Sequence, residues 1–351
     1  IIACTLAIIL IELVLPHFNG FSGKELDINY LKLSNLFFLF FFIIFTAIIS
    51  GSYPGFYLSS IKPIIALKGL FSHSKTGKYF RNILVLIQLI TTIALISCSL
   101  IVYTQINYIN NKNLGFTKEN RICVHGANLL GDQTQFFKEE LLKYPEFLSG
   151  TISSTLPVPS NMIRAGVRLD GDEKNMINMP HWTVDFNYIE TLGLNIIEGR
   201  DFSPTFGTDS TAVIFNEAAI KEFGWSDPLN HYIVCTVYKN GEWVTEKLNI
   251  IGVVEDFHYE SLKKNIAPML MYISSRSANI MTLQYQSDDF KRVVSLLESK
   301  WNEFLPGRPF NYSFLDESFN SMYFEELRIR NIMLVSTLLA IIIASIGLFG
   351  L

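Results

Sequence analysis

Side chains that could do chemistry are few in this chain, and they are scattered. The six histidines, His17, His73, His125, His181, His231 and His258, have no second ligand at helical or hairpin spacing, so no metal centre can be assembled from local sequence. "FSGKEL" and "KTGKYF" lack the glycine spacing and the Ser or Thr that cradle phosphates. Asp256 beside His258 in "VVEDFHYE" is the best acid/base pair available, and it reads as the polar end of a strand. No nucleophile elbow and no CxxC pair occurs. These residues support no catalytic, metal or cofactor site, and the chain is expected to be non-catalytic, with no nucleic-acid partner.

Cysteine usage is equally uninformative. Cys4 and Cys98 fall in apolar runs, where a thiol acts as a small hydrophobe. Cys123 and Cys235 lie in a polar stretch, both in strand-like surroundings, and an oxidising compartment would permit them to pair.

Apolar residues, by contrast, are concentrated in four runs, Ile1–Pro16, Asn35–Ser50, Ile83–Tyr103 and Asn331–Leu351, while 119–326 holds most of the acids in an ordinary polar mix. A bilayer core asks for about 20 mostly apolar residues as helix, which Ile83–Tyr103 meets outright and Asn35–Ser50 meets with a few flanking residues. "NLFFLFFFIIF" is apolar on every face, as a lipid-facing helix should be. The first residue is Ile and the last lies inside an apolar run, so the chain is expected to be cut within helices at both ends. Within the runs, Glu12 is read as interfacial, and Gln88 with Thr91–Thr92 as helix-packing groups that hydrogen-bond across helices.

Charge sets the orientation. Lys62, Lys68, Lys75, Lys78 and Arg81 stand unopposed between Ser50 and Asn82, where no acid occurs, and basic residues beside membrane helices mark the cytoplasmic side. The 106–327 stretch then lies outside the cell. Arg328 and Arg330 oppose this mildly, with Glu325 and Glu326 beside them. Within "SGSYPGFYLSSIKPIIALKG" the helix is expected to break at Tyr53–Pro54, leaving Lys62 and Lys68 at the inner leaflet.

The outer stretch reads as mixed α/β. "NRICVHG" is a strand, Asp132–Tyr144 a helix with Asp132 as N-cap, and "FLSGTISST" the next strand. "RAGVRLDG", "NMPHWTVD", "TAVIFN", the helix "EAAIKEFG" closed by Gly224, a long hairpin turning at Asn240–Gly241, "MLMYIS" and "IMTLQYQ" follow. A helix over Asp288–Phe304 and the strand "FNYSFL" end the stretch. The economical arrangement is one βαβ layer built from both ends, with a strand-rich middle inserted. Tyr103–Phe116 and Asp316–Arg330 are expected to continue the membrane helices as a stalk.

These motifs resemble a known family. "YPGFYLSSIKPIIALKG", through Pro54, Lys62, Pro63, Ala66, Leu67 and Lys68, resembles the end of a permease module of MacB/FtsX-type ABC transporters. "VDFNYIETLGLNIIEGRDFS" is similar to the signature of their periplasmic core domain at Tyr188, Gly193, Gly199, Arg200 and Phe202. Asn216, Glu217 and Gly224 follow in the family's order, then "DPLN", with Asn230 where Gly is usual, then Gly252, Val253, Asp256 and Phe257.

The resemblance implies α-helical membrane segments plus an extracytoplasmic α/β (α+β) domain of two lobes, a porter-like βαβ layer with an inserted strand-rich lobe. Residues 1–69 would end one module with two membrane helices, about 1–16 and 33–52, and a cytoplasmic tail. Residues 70–82 would be a linker, 83–105 a membrane helix, 106–327 the core domain with its insert at about 160–275, and 328–351 a truncated membrane helix. It further implies a multi-pass inner-membrane permease subunit driven by a cytoplasmic ATPase on another chain. Pro54, Lys62, Pro63, Lys68 and Arg81 would meet that ATPase or the inner leaflet. Membrane lipids, a periplasmic adaptor or substrate protein, and a dimer of chains or a pseudo-dimer of modules are the further partners implied. Candidate cargoes are peptide, lipoprotein, lipid or antibiotic, and the alternative is an FtsX-like regulator of an outer partner such as a cell-wall hydrolase.

Overall fold

A computed structural model describes residues 2–22, 26–27, 32–59, 75–158, 163–171, 175–239, 242–274, 279–287 and 289–349. Lys62, Pro63 and Lys68, and the Asn240–Gly241 turn, lie outside the described residues. The chain divides into a helical unit, residues 1–110 with 324–351, and a mixed unit, Asn111–Tyr323.

The helical unit holds α1 (Ile2–Ser22), α2 (Leu33–Ser59), α3 (Lys75–Asn111) and, after the mixed unit, a last helix, Phe324–Phe349. Among the described residues, three stretches are long and apolar enough to cross a membrane: Leu33–Ser52, Asn82–Asn111 and Phe324–Phe349. The apolar part of α1, Thr5–Gly20, is shorter. Several boundaries differ from expectation. The first helix runs through Pro16 to Ser22, and α2 runs through Pro54 to Ser59 where a break was expected. A proline costs a helix one backbone hydrogen bond and adds a steric clash, and membrane helices tolerate it because neighbouring groups satisfy the freed carbonyl. The expected linker 70–82 is helical from Lys75 onward, with Arg81 on that helix. Once the apolar segment has formed helix, extending it by further residues is inexpensive.

α3 packs against the last helix through small and polar groups. Ser99 Oγ and Thr337 Oγ1 share a hydrogen bond of 2.7 Å, and Thr337 Oγ1 also donates to Leu95 O at 3.3 Å. Gly347 lies against the Gln88 amide, so that a Cβ there would come within 2.6 Å of Gln88 Oε1. Thr91 and Thr92, expected to bond across helices, instead donate back to Ile87 O and Gln88 O of their own helix. A hydroxyl on a helix reaches the carbonyl one turn back more readily than a neighbouring helix. Among the described residues of these helices, Ser99 and Thr337 are the pair of hydroxyls that meet while buried.

The mixed unit begins with β1 (Arg121–His125), α4 (Thr134–Leu141) and β2 (Phe147–Ser153). It continues with β3 (Arg164–Leu169), β4 (Ile177–Val184), α5 (Tyr188–Leu192), β5 (Ile196–Gly199), β6 (Ala212–Asn216), α6 (Glu217–Phe223), β7 (Tyr232–Lys239), β8 (Glu242–Val254) and β9 (Leu270–Ile273). It ends with β10 (Ile280–Tyr285), α7 (Phe290–Phe304), β11 (Asn311–Phe314) and α8 (Leu315–Ser321), and the last helix is α9. α5 and β5 went unforeseen, both being too short to show a period. Asp132 is not the cap of α4. It sits in a 3-10 turn, and Thr134 opens the helix, its hydroxyl donating to Ala127 O and Gly131 O.

β11, β1, β10 and β2 form a four-stranded antiparallel layer in that order. β1–α4–β2 and β10–α7–β11 are therefore both split, each leaving room for a strand of the other, as in ferredoxin-like layers. Phe137 and Leu141 of α4, with Val293, Leu297 and Trp301 of α7, lie one turn apart and bury against Ile122, Val124, Ile152, Met281 and Leu283. β4, β3, β7, β8, β6 and β9 pair in sequence, and β9 returns to β4, so six strands close into a ring without a free edge. Val167, Phe215, Ile233, Leu248, Leu270 and Tyr272 are among the residues that fill its core. A single register pair, Ser153 with Val184, joins layer to ring.

The helical continuation expected over Tyr103–Phe116 and Asp316–Arg330 is formed in part: α3 runs on to Asn111, and α8 and α9 cover the second stretch except Met322–Tyr323. α3 stops at Asn111, and the following segment turns at Gly115 with φ +80°. α8 and α9 are separated at Met322–Tyr323, where the Tyr323 ring is buried. Both interruptions coincide with packing against the ring.

Candidate functional site

The residues that carry the family resemblance separate into three structural corners. At the first, β8 carries a bulge: Val213 pairs with Ile250 and Ile214 with Gly252, leaving Ile251 over. The Ile251 carbonyl accepts from Arg200 N at 2.9 Å. Gly199, opposite Gly252, has φ +76°, and a Cβ on it would fall 2.2 Å from Ile251 O. The backbone path then aims Arg200 at Asp209, with Nη1 to Oδ2 at 2.7 Å and Nη2 to Oδ1 at 2.6 Å. Phe206 covers the guanidinium at 4.2 Å, and Ser203 N donates to the same carboxylate at 2.9 Å. Burial alone would raise the Asp209 pKa, but Arg200 and the Ser203 amide hold it below the usual carboxylate range. Phe202 is buried beneath this corner.

Asp201, its neighbour, behaves oppositely. Burial, with Glu190 and Asp209 nearby, pushes its pKa from 3.8 up to about 6 despite the Phe202 amide it accepts from. A carboxyl with a raised folded pKa favours folding while protonated, so stability is lost as pH rises from about 4 through about 6. Asp201→Asn should therefore raise the melting temperature above pH 7 by about 2–4 °C and give no gain below pH ~4. Equal gains at both pH values would refute that assignment.

The second corner closes the start of α6. Asn216 Oδ1 accepts from Ala219 N at 3.2 Å and Met269 N at 2.9 Å, and Nδ2 donates to Asp256 Oδ1 at 2.9 Å and Ala267 O at 3.0 Å. Asp256 Oδ1 also accepts from Ala218 N at 2.9 Å. Asp256 is thus a helix-capping group, together with Glu217 in the first turn, and Gly224 ends α6 at φ +70°. His258 is not its acid/base partner: burial first, and then the Lys112 charge, lowers the His258 pKa, and its backbone amide points to Leu114 O.

At the third corner, Gly193 ends α5 at φ +65°, and a Cβ there would meet Thr117 Oγ1 at 2.7 Å. Tyr188 is buried against Trp182. The structure thus gathers Gly199, Arg200 and Gly252 in one place and Asn216, Glu217 and Asp256 in another, and every one of them shapes backbone.

His125, His181 and His231 are each engaged in packing or hydrogen bonding. His125 Nε2 meets Ser313 Oγ at 2.8 Å, His181 stacks on Tyr272, and His231 stacks on Trp225 at 4.5 Å. Cys123 and Cys235 are free buried thiols, pushed by burial to about 12 and about 11. Among the described residues no group of three His, Cys, Asp or Glu side chains could hold a metal.

Sequence reasoning missed one group. Lys138 Nζ, buried, donates to Asp185 Oδ2 at 2.7 Å and to Asn187 Oδ1 at 3.1 Å, while Thr151 Oγ1 and, at 3.2 Å, Asn187 N donate to Asp185 Oδ1. This network lies between α4 and β2 of the layer and the segment leaving β4. Its signal was available: Thr134, Phe137, Lys138 and Leu141 make one buried helical face with a lysine in it.

No family model matches the chain, and no curated protein matches it. Its fold is similar to solved structures at low identity. The periplasmic region of MacB from Actinobacillus actinomycetemcomitans is 15% identical at a TM-score of 0.42, over 60% of this chain and 96% of that one. A domain of a putative permease protein from Porphyromonas gingivalis is 14% identical at 0.38, over 56% and 91%. The extracellular domain of the noncanonic ABC-type transporter YknZ from Gram-positive bacteria is 14% identical at 0.35, over 57% and 90%.

Proposed function

We propose that this chain is the membrane permease subunit of a MacB/FtsX-like ABC transporter, with Asn111–Tyr323 as its extracytoplasmic domain. The observation that carries the reading is topological. One mixed α/β unit interrupts two helices, Asn82–Asn111 and Phe324–Phe349, each long and apolar enough to span a bilayer. At 1.5 Å per residue the 30-residue stretch reaches about 45 Å, beyond the ~30 Å hydrocarbon core. The ordered motifs from Tyr188 to Asp256 support it independently, and the solved neighbours point the same way without adding a step.

On this reading ATP is hydrolysed on a separate cytoplasmic chain, and motion reaches the outer domain, with its porter-like layer and inserted ring, through the membrane helices. Lys62, Lys68 and Arg81 would lie on the cytoplasmic side, at the inner leaflet or the ATPase, in an inner-membrane assembly built as a dimer or a tandem pseudo-dimer. The cargo would be peptide, lipoprotein, lipid or antibiotic handled at the outer face.

The test is affinity purification of the membrane-embedded chain. Recovery of a Walker-type ATPase whose hydrolysis rate depends on the chain supports the proposal. Robust association with no ATPase overturns it. An outer hydrolase whose activity follows ATP turnover would move the assignment to an FtsX-like regulator.

A further inference from the structure

Three segments of the mixed unit meet at one place: the connector arriving from α3 (Leu114–Lys118), the connector leaving through α8 (Phe319–Tyr323), and the segment leaving β8 (Asp256–Leu262). Each touches the other two. His258 N donates to Leu114 O at 2.8 Å, and Gly115 approaches so closely that a Cβ would sit 2.7 Å from Asp256 O. The Tyr323 hydroxyl accepts from Leu262 N at 2.9 Å. Phe116 and Phe319 meet edge to face at 6.3 Å, with Lys118 Nζ 4.6 Å above the Phe319 ring. Leu114, Phe116, Phe257, Tyr259, Phe319 and Tyr323 are all buried.

The third segment is itself anchored in the ring. Asp256 caps α6 through Asn216 and Ala218, and Tyr259 donates to Ala267 O at 2.8 Å while packing against Trp182. Two connectors and one segment anchored in the ring, joined pairwise, form a closed triangle of contacts.

We propose that this triangle is a rigid joint through which the two membrane-linked connectors act on the six-stranded ring as a single lever. Tyr323 is its positioning residue on the outgoing side, and Gly115 permits the close seat on the incoming side. The proposal stands on the mixed unit's own geometry and needs no ATPase, so it can fail while the transporter reading survives, and the reverse.

The test is peptide-resolved hydrogen exchange on the full chain in detergent, comparing wild type with Tyr323→Phe. Removing the hydroxyl takes the acceptor from Leu262, whose peptide should exchange about fivefold faster. A joint requires that the peptides carrying His258 and Leu114, on the far side of the triangle, accelerate with it. Reciprocally, Gly115→Ala should accelerate the Leu262 peptide. Tyr312→Phe, on the exposed strand β11, should change none of these. Acceleration confined to Leu262 in the first variant, or absent from Leu262 in the second, overturns the proposal.

Discussion

Lys138→Met should lower the stability of the mixed unit by about 3–5 kcal/mol, because it removes the cation from a buried pair and leaves the Asp185 carboxylate behind. The Lys138 side chain is 3% exposed and that of Asp185 10%, so water cannot replace the lost partner. The two donors that remain on Asp185, Thr151 and the Asn187 amide, are neutral. Adding Asp185→Asn should restore part of the loss, since an amide oxygen accepts from both donors without carrying charge. The coupling between the two changes should reach about 1–3 kcal/mol. All four tryptophans, Trp182, Trp225, Trp243 and Trp301, lie between Asn111 and Tyr323, so urea unfolding of the full chain followed by their fluorescence reads this unit alone. A shift below about 1 kcal/mol for Lys138→Met, the size of an exposed ion pair, would contradict a buried one.

The glycine pair at the β8 bulge should be nearly as sensitive. A Cβ on Gly252 would fall 2.4 Å from Arg200 O, and one on Gly199 2.2 Å from Ile251 O; in both cases the nearest atom is backbone, which cannot swing aside as the Leu229 side chain near Gly199 could. Gly199 adds a left-handed φ that alanine disfavours by about 1–2 kcal/mol. Gly199→Ala should therefore cost about 3 kcal/mol or more, and Gly252→Ala about 1–3 kcal/mol or more. Gly224→Ala offers the comparison: it shares the positive φ but meets open space, so its cost should be the conformational term alone. If the three variants unfold at the same urea concentration, the close approach of β5 to β8 is not what Gly199 and Gly252 serve.

Much of this architecture was legible in the sequence wherever a period was long enough to read. Phe290–Phe304 shows its apolar stripe at Val293, Leu297 and Trp301, and the strands of the ring show in their β-branched runs. Pairing order was not legible, since nothing local in "IMTLQYQ" says that it lies between β1 and β2. Helix ends failed for a related reason. The stops at Asn111 and Met322 are set by contacts with Phe257 and Leu262, more than a hundred residues from one and about sixty from the other. The motif residues were found, but their roles required coordinates. Asp256 next to His258 looks like acid beside base, and only the Asn216 and Ala218 contacts make it a cap.

The position of β10 bears on the order in which the chain can acquire structure. Arg121 pairs with Gln284, so β10, one of the two central strands of the four-stranded layer, is made long after β1 and β2, the strands on either side of it. As the chain emerges, β1 and β2 are separated by one strand's width that only β10 can fill, and the whole ring is synthesised in between. The ring, closed on itself, can reach its paired state first, leaving α4 with half of its hydrophobic seat missing until α7 arrives. Such non-local closure is slow, and it exposes unpaired strand edges in the interval. A chain interrupted anywhere before Tyr285 would leave the β10-facing edges of β1 and β2 unpaired, the kind of edge that pairs readily with other chains.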